Sequence, residues 1–118
     1  AAAAANYSHD VYVRDGFMYS SDIYDGTFSI QDISNLDSIF LINTQRTPFD
    51  FTHNTWLSDD SKTIFTTDER SGAPIGAYDI SDMSSIKYLD EFRPISSIAG
   101  RPTPHNVHVK NDFLIFLV

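Results

Sequence analysis

Three of the four histidines in this chain open the same phrase: a histidine, then Asp or Asn, then two residues, then Val or Leu. The phrase runs His9-Asp10-Val11-Tyr12-Val13, then His53-Asn54-Thr55-Trp56-Leu57, then His105-Asn106-Val107-His108-Val109. An imidazole can ligate a metal or bind a polar group, and it does either best when a carboxylate orients its other nitrogen. Hairpin counting supplies such carboxylates. With Asp15-Gly16 as a two-residue loop, Arg14 pairs with Phe17 and the count outward sets His9 against Asp22. With Asp59 to Lys62 as a loop, Ser58 pairs with Thr63 and His53 meets Asp68. Side chains opposed in this way stand about 5 Å apart at Cβ. The same count sets His105 against Val118, so the pairing does not extend to the third phrase.

Two readings of these groups compete. In the first, each imidazole and its carboxylate form a clamp that holds the end of a hairpin. In the second, His9, Asp22, His53, Asn54, Asp68, His105 and Asn106 line a ring that binds a polar ligand, or a metal ion through His9, His53 and His105. The clamp is preferred, and no cofactor is required by it. His108 stands apart, because Tyr12 and Trp56 occupy its place in the other phrases, which predicts an aromatic-sized residue packed between neighbouring sheets. His105 and His108 make a weak ligand pair, since residues three apart on a strand face opposite ways.

Other polar groups read as turn chemistry. Asp32 and Asp79, each followed by Ile-Ser, are expected to accept hydrogen bonds from their own turns. The acidic loops Asp22 to Gly26 and Asp68 to Pro74 could offer oxygens to a hard cation, but neither has the spacing of a calcium loop. No nucleophile, base and orienting group stand in a recognisable set, and no glycine-rich phosphate loop exists among five glycines.

The elements that would position these residues follow from repetition. Ser29-Ile30-Gln31-Asp32-Ile33-Ser34 recurs as Gly76-Ala77-Tyr78-Asp79-Ile80-Ser81, and Met18-Tyr19-Ser20-Ser21-Asp22 recurs as Ile64-Phe65-Thr66-Thr67-Asp68. With the histidines these markers give a period of roughly 45 residues, a length typical of four-stranded propeller blades or helical-pair repeats. Short β-branched and aromatic runs between Asp-Gly and Ser-Asn turns select strands. The predicted fold is therefore all-β: β-propeller blades of four antiparallel strands, about two and a half of them, from a ring that needs roughly four to eight. Residues 1–7 are unassigned, and the five opening alanines read as a placeholder. Residues 8–51 are the first blade, 52–102 the second, and 103–118 the first hairpin of a third. The expectation is that the segment belongs to a longer propeller chain.

Composition narrows the function classes. The 118 residues carry 16 acidic and 8 basic side chains, a formal charge of −8, which argues against a nucleic-acid partner. With no cysteine, neither a disulfide framework nor a thiolate metal site is possible. No apolar run approaches the roughly 18 residues of a membrane-spanning helix, so no transmembrane segment is expected in this stretch.

The phrases HDVYVRDGFMYSSDIYDGTFSIQDIS, FTHNTWLSDDSKTIFTTDE, GAYDIS and TPHNVHVKNDFLI resemble, in order, the LVIVD-repeat propellers, in particular the bacterial surface proteins called choice-of-anchor B. The resemblance covers Ser8 to Ile115 and departs at Asn35-Leu36-Asp37, where the family often has a proline-containing turn. It implies a β-propeller, export to the extracellular face or cell surface, and no agreed catalytic residues. The expected function is thus an exported, non-catalytic binding or scaffold module that meets protein or glycan. The alternatives are a metal-dependent propeller enzyme with an axial histidine site and a structural subunit of a larger surface assembly.

Overall fold

Two residues with positive φ, Asp15 at 51° and Gly16 at 81°, close the first hairpin, and this is the turn whose twist suits two antiparallel strands. It joins β1 (Asp10–Arg14) to β2 (Phe17–Asp22) with Arg14 opposite Phe17 and Asp10 opposite Ser21. The computed structural model describes residues 7–93 and 102–118. The opening alanines and the part of the second repeat at 94–101 lie outside them. Antiparallel neighbours continue with β3 (Thr27–Asp32) and β4 (Phe40–Arg46), which completes a four-stranded sheet in chain order. A second sheet of the same order holds β5 (Thr52–Leu57), β6 (Thr63–Asp68), β7 (Ile75–Asp79) and β8 (Lys87–Phe92). The hairpin of β9 (Val107–Lys110) and β10 (Phe113–Phe116) follows, turned by Asn111 and Asp112, both at positive φ. The architecture is all-β, with no helix among the described residues.

The internal likeness of the two sheets extends to their irregularities. Each has a break in register between its third and fourth strands, at Ile30/Gln31 and at Ala77/Tyr78. Each third strand ends in a turn where an aspartate accepts a backbone N–H two residues on, Ser34 to Asp32 at 2.9 Å and Ser81 to Asp79 at 2.9 Å. The Ser34 and Ser81 hydroxyls first, and these backbone hydrogen bonds second, hold both carboxyls below the usual aspartate range.

The core lies between the sheets. Tyr19, Phe28 and Ile30 of the first sheet join Leu57, Ile64, Tyr78 and Ile80 of the second, with Phe28 and Tyr78 edge to face at 5.2 Å. Full burial of each large apolar side chain stabilises by about 1.5–3 kcal/mol, so this cluster is the main reason the two sheets stay together. Middle strands β2, β3, β6 and β7 are largely buried and show no clean polar face, whereas β8 is exposed along its length. The first strands of the successive units, β1, β5 and β9, pack beside one another.

Candidate histidine-glutamate site

The repeated phrase sits where β1, β5 and β9 begin, and its residues meet their counterparts in the next unit. The His9 and His53 rings stand 4.6 Å apart, and His53 meets His105 at 5.0 Å, nearly edge to face. One step on, the buried Asn54 uses both ends of its amide: Nδ2 donates to Asp10 Oδ2 at 2.6 Å, and Oδ1 accepts the Val107 N–H at 2.8 Å. Two steps further, Trp56 lies between Tyr12 at 4.5 Å and His108 at 4.6 Å, the packing role expected for His108. The His-(Asp/Asn) phrase is thus an interlock between units as much as a hairpin start.

The clamps that pair His9 with Asp22 and His53 with Asp68 do not form. Asp22 is 2% exposed, and its oxygens accept from the hydroxyls of Ser20, Ser29 and Thr27. Asp68, fully buried, accepts from Thr47 Oγ1 at 2.6 Å and from the backbone N–H groups of Phe49 and Phe51 at 3.0 and 2.8 Å. The physical reason is proximity of rigid donors. A buried carboxylate needs several hydrogen bonds, and neighbouring hydroxyls and the turning backbone at 47–51 supply them without reorienting a ring. Register contributes as well: β5 bulges between Thr52 and Asn54, so Thr52 rather than His53 faces Asp68. The first hairpin keeps its count only from Arg14 opposite Phe17 out to Asp10 opposite Ser21. The His9 N–H then bonds to the Ser21 carbonyl at 2.8 Å, so His9 does not oppose Asp22, and its ring lies against His53. Burial pushes the Asp22 carboxyl up, and the hydroxyls of Ser29 and Ser20 pull it back only in part.

The carboxylate that does meet the histidines is Glu69. Its backbone N–H bonds to the Phe51 carbonyl at 3.0 Å, which prolongs the β5–β6 pairing and brings the side chain to the start of β5. Oε1 lies 2.9 Å from His105 Nε2, and Oε2 lies 3.8 Å from His53 Nε2. His53 Nδ1 lies 2.8 Å from the His105 carbonyl oxygen. A carbonyl can only accept, so Nδ1 carries the proton, and in the neutral ring Nε2 presents a lone pair. The His105 carbonyl also accepts from Thr67 Oγ1. One donor atom each from His9, His53 and Glu69 lies within 4.8 Å of the others.

Of the sequence-derived candidates, His9, His53 and His105 come together. Asn54 is spent on the interlock, Asp22 and Asp68 are spent on hydroxyls and backbone, and the Asn106 carbonyl accepts the Leu117 N–H at 2.8 Å. Asp10 was missed, and Glu69 entered only as one acidic residue of the Asp68 to Pro74 loop, not as the partner of the histidines. The signal for Glu69 is that it stands directly after the shared Asp, where the first repeat has the buried Ile23.

Beside this cluster lie the exposed Tyr7 and Tyr24 and the half-buried Phe51: Tyr7 against Tyr24 at 5.2 Å, Tyr24 against Phe51 at 6.4 Å, and the Arg70 guanidinium 4.9 Å from the Phe51 ring. Tyr24 is 74% exposed. No protein-family model matches the chain, and no curated protein matches it.

Proposed function

We propose that this chain is part of an exported β-propeller that serves as a non-catalytic binding or scaffold module at a bacterial cell surface. The observation that carries the propeller reading is the in-register stacking of the repeated phrase from one unit to the next, with β1, β5 and β9 side by side. Further support comes from the two ends of the stack, where Val11 and Val13 on one side and Phe113 and Ile115 on the other are at least half exposed. Exposed apolar faces of this kind fit another sheet of the same type. LVIVD-repeat surface propellers are the family whose motifs the sequence resembles.

The binding role rests on the face at the strand starts. Tyr7, Tyr24 and Phe51 offer flat apolar rings, Arg70 a cation, and the histidines and Glu69 directional polar groups. Exposed rings edged by polar groups suit a sugar or a peptide. Structure determination of the intact protein should find a closed ring of such sheets with the histidine-bearing strands innermost. An open row of sheets would overturn the propeller reading. Glycan and peptide arrays probed with the intact protein should lose signal on Tyr24→Ala and Arg70→Ala, and full retention in both variants would remove this face from the binding role.

A further inference from the structure

We propose that His9, His53 and Glu69 form a binding site for a divalent transition-metal ion of the zinc class, with His105 positioning two of the three ligands. His53 lies in β5, and His9, Glu69 and His105 lie within two residues of the ends of β1, β6 and β9, so the site stands whether or not the sheets close into a ring.

The argument begins with protons. His53 donates through Nδ1 to the His105 carbonyl at 2.8 Å, which leaves Nε2 as the lone-pair nitrogen of the neutral ring. That nitrogen faces Glu69 Oε2 at 3.8 Å. The distance is too long for a direct hydrogen bond, and in the neutral ring this lone pair confronts a carboxylate, an arrangement that either a proton on Nε2 or a metal ion between the two groups relieves. Glu69 is oriented in turn. Its other oxygen, Oε1, lies 2.9 Å from His105 Nε2, and an ionised carboxylate accepts only, so that nitrogen is the donor. One residue therefore sets two ligands: the His105 carbonyl fixes the tautomer and plane of His53, and the His105 ring turns Oε2 of Glu69 toward it. Ligating histidines and carboxylates are commonly oriented by hydrogen bonds of this kind.

Distances admit an ion. Donor atoms within 4.8 Å of one another share a point no more than about 2.8 Å from each, against about 2.0–2.2 Å for zinc bonds to nitrogen and carboxylate oxygen. The contraction needed is below 1 Å or so, within reach of a side-chain rotation at the exposed His9 and the partly exposed Glu69. The donor set names the metal class. Two imidazoles with a single carboxylate suit zinc and its first-row neighbours, whereas calcium and magnesium want six or more oxygens, or mostly water. Three protein ligands leave a fourth position open for solvent. His9 is the exposed member and the route of entry.

The test uses the intact protein, stripped with chelator and titrated with Zn²⁺ by calorimetry and with Co²⁺ by visible absorption. We expect saturable uptake of one ion, a four- or five-coordinate Co²⁺ spectrum, and no competition from Ca²⁺. His53→Ala and the near-isosteric Glu69→Gln should each weaken binding at least tenfold, and His105→Ala by roughly 10–100-fold, the range for groups that orient ligands. His108→Phe, which preserves the aromatic packing, should bind as the parent does. Circular-dichroism melts of the stripped variants identify any that fail to fold, and for those Glu69→Gln decides. Absence of saturable uptake overturns the proposal. So does parental affinity in Glu69→Gln, or an equal loss in His108→Phe, which would mark diffuse uptake by histidines.

Discussion

Asp22 is a carboxylic acid held among three hydroxyls at 2% exposure, and burial raises its carboxyl above the ordinary aspartate value. A raised carboxyl means that the fold favours the protonated form. Its contribution to stability is complete below the unfolded value of about 3.9 and fades as pH rises through the higher folded value. Asp22→Asn removes the ionisation and retains an amide that Ser20 and Ser29 can meet by rotating their hydroxyls. Thermal melts from acid to neutral pH should show the variant gaining on the parent as pH rises, beginning just above the ordinary carboxylate range. A difference that stays flat with pH would show that Asp22 is not the group being titrated. Asn54 tests a different kind of residue, one whose two bonds cross between units. In Asn54→Ala the buried Val107 N–H loses its acceptor and Asp10 loses its donor, at a cost of about 1–3 kcal/mol in denaturant unfolding. Asn54→Asp should restore the acceptor for Val107 yet set a second carboxylate against Asp10, so its deficit should shrink as the pH falls.

At the scale of elements, the connection from β2 to β3 and the link between the sheets touch at Gly26. Its φ is +69°, and a Cβ there would lie 2.6 Å from the Asp50 Cα, which is backbone and cannot step aside. The Gly26 carbonyl meanwhile accepts the Thr47 N–H at 3.0 Å, and Thr47 in turn donates to Asp68. A methyl group at this point pushes the 47–51 segment away from the carboxylate that anchors it. Gly26→Ala should therefore cost more than the roughly 1 kcal/mol expected for unfavourable φ alone. Loss of about 2–4 kcal/mol in urea unfolding is expected, since steric overlap adds to the strain. A cost below 1 kcal/mol or so would mean that the two segments separate freely. By contrast, Gly16 has no contact closer than 3.7 Å, so only its φ of +81° matters there.

For the molecule as a whole, both end faces of the stack are apolar: Val11 and Val13 at one, Phe113 and Ile115 at the other. Residues 7–118 produced by themselves should self-associate through these faces, because a few sheets leave apolar area and strand edges that nothing covers. Sedimentation should show species larger than the monomer, and Val13→Lys with Ile115→Lys should shift the distribution toward it. A monomeric parent that unfolds cooperatively would rule out end-to-end contact as the role of these faces.

Much of this architecture is legible in the sequence because it is local. Asp15-Gly16 suits two consecutive positive φ angles, and the flanking β-branched and aromatic residues then pair outward from it, so the first hairpin register follows from a count. The recurrence of Gln31-Asp32-Ile33-Ser34 as Tyr78-Asp79-Ile80-Ser81 predicts the second sheet as a copy of the first, and the Asx turns follow from the same residues. The partners of the histidines were not legible. A register names which residues are opposed, but a single bulge, here at His53, moves a side chain to the other face. It also leaves open whether a side chain turns to its own hairpin or to the next sheet. That choice was made by packing between units, where Asp22 and Asp68 found closer donors, the imidazoles met one another at tilted and edge-to-face angles, and Glu69 arrived from a loop 36 residues away from His105. Turn chemistry and periodicity act within a few residues, whereas the composition of the site depends on which surfaces meet once both sheets are formed, and that is a property of tertiary structure alone.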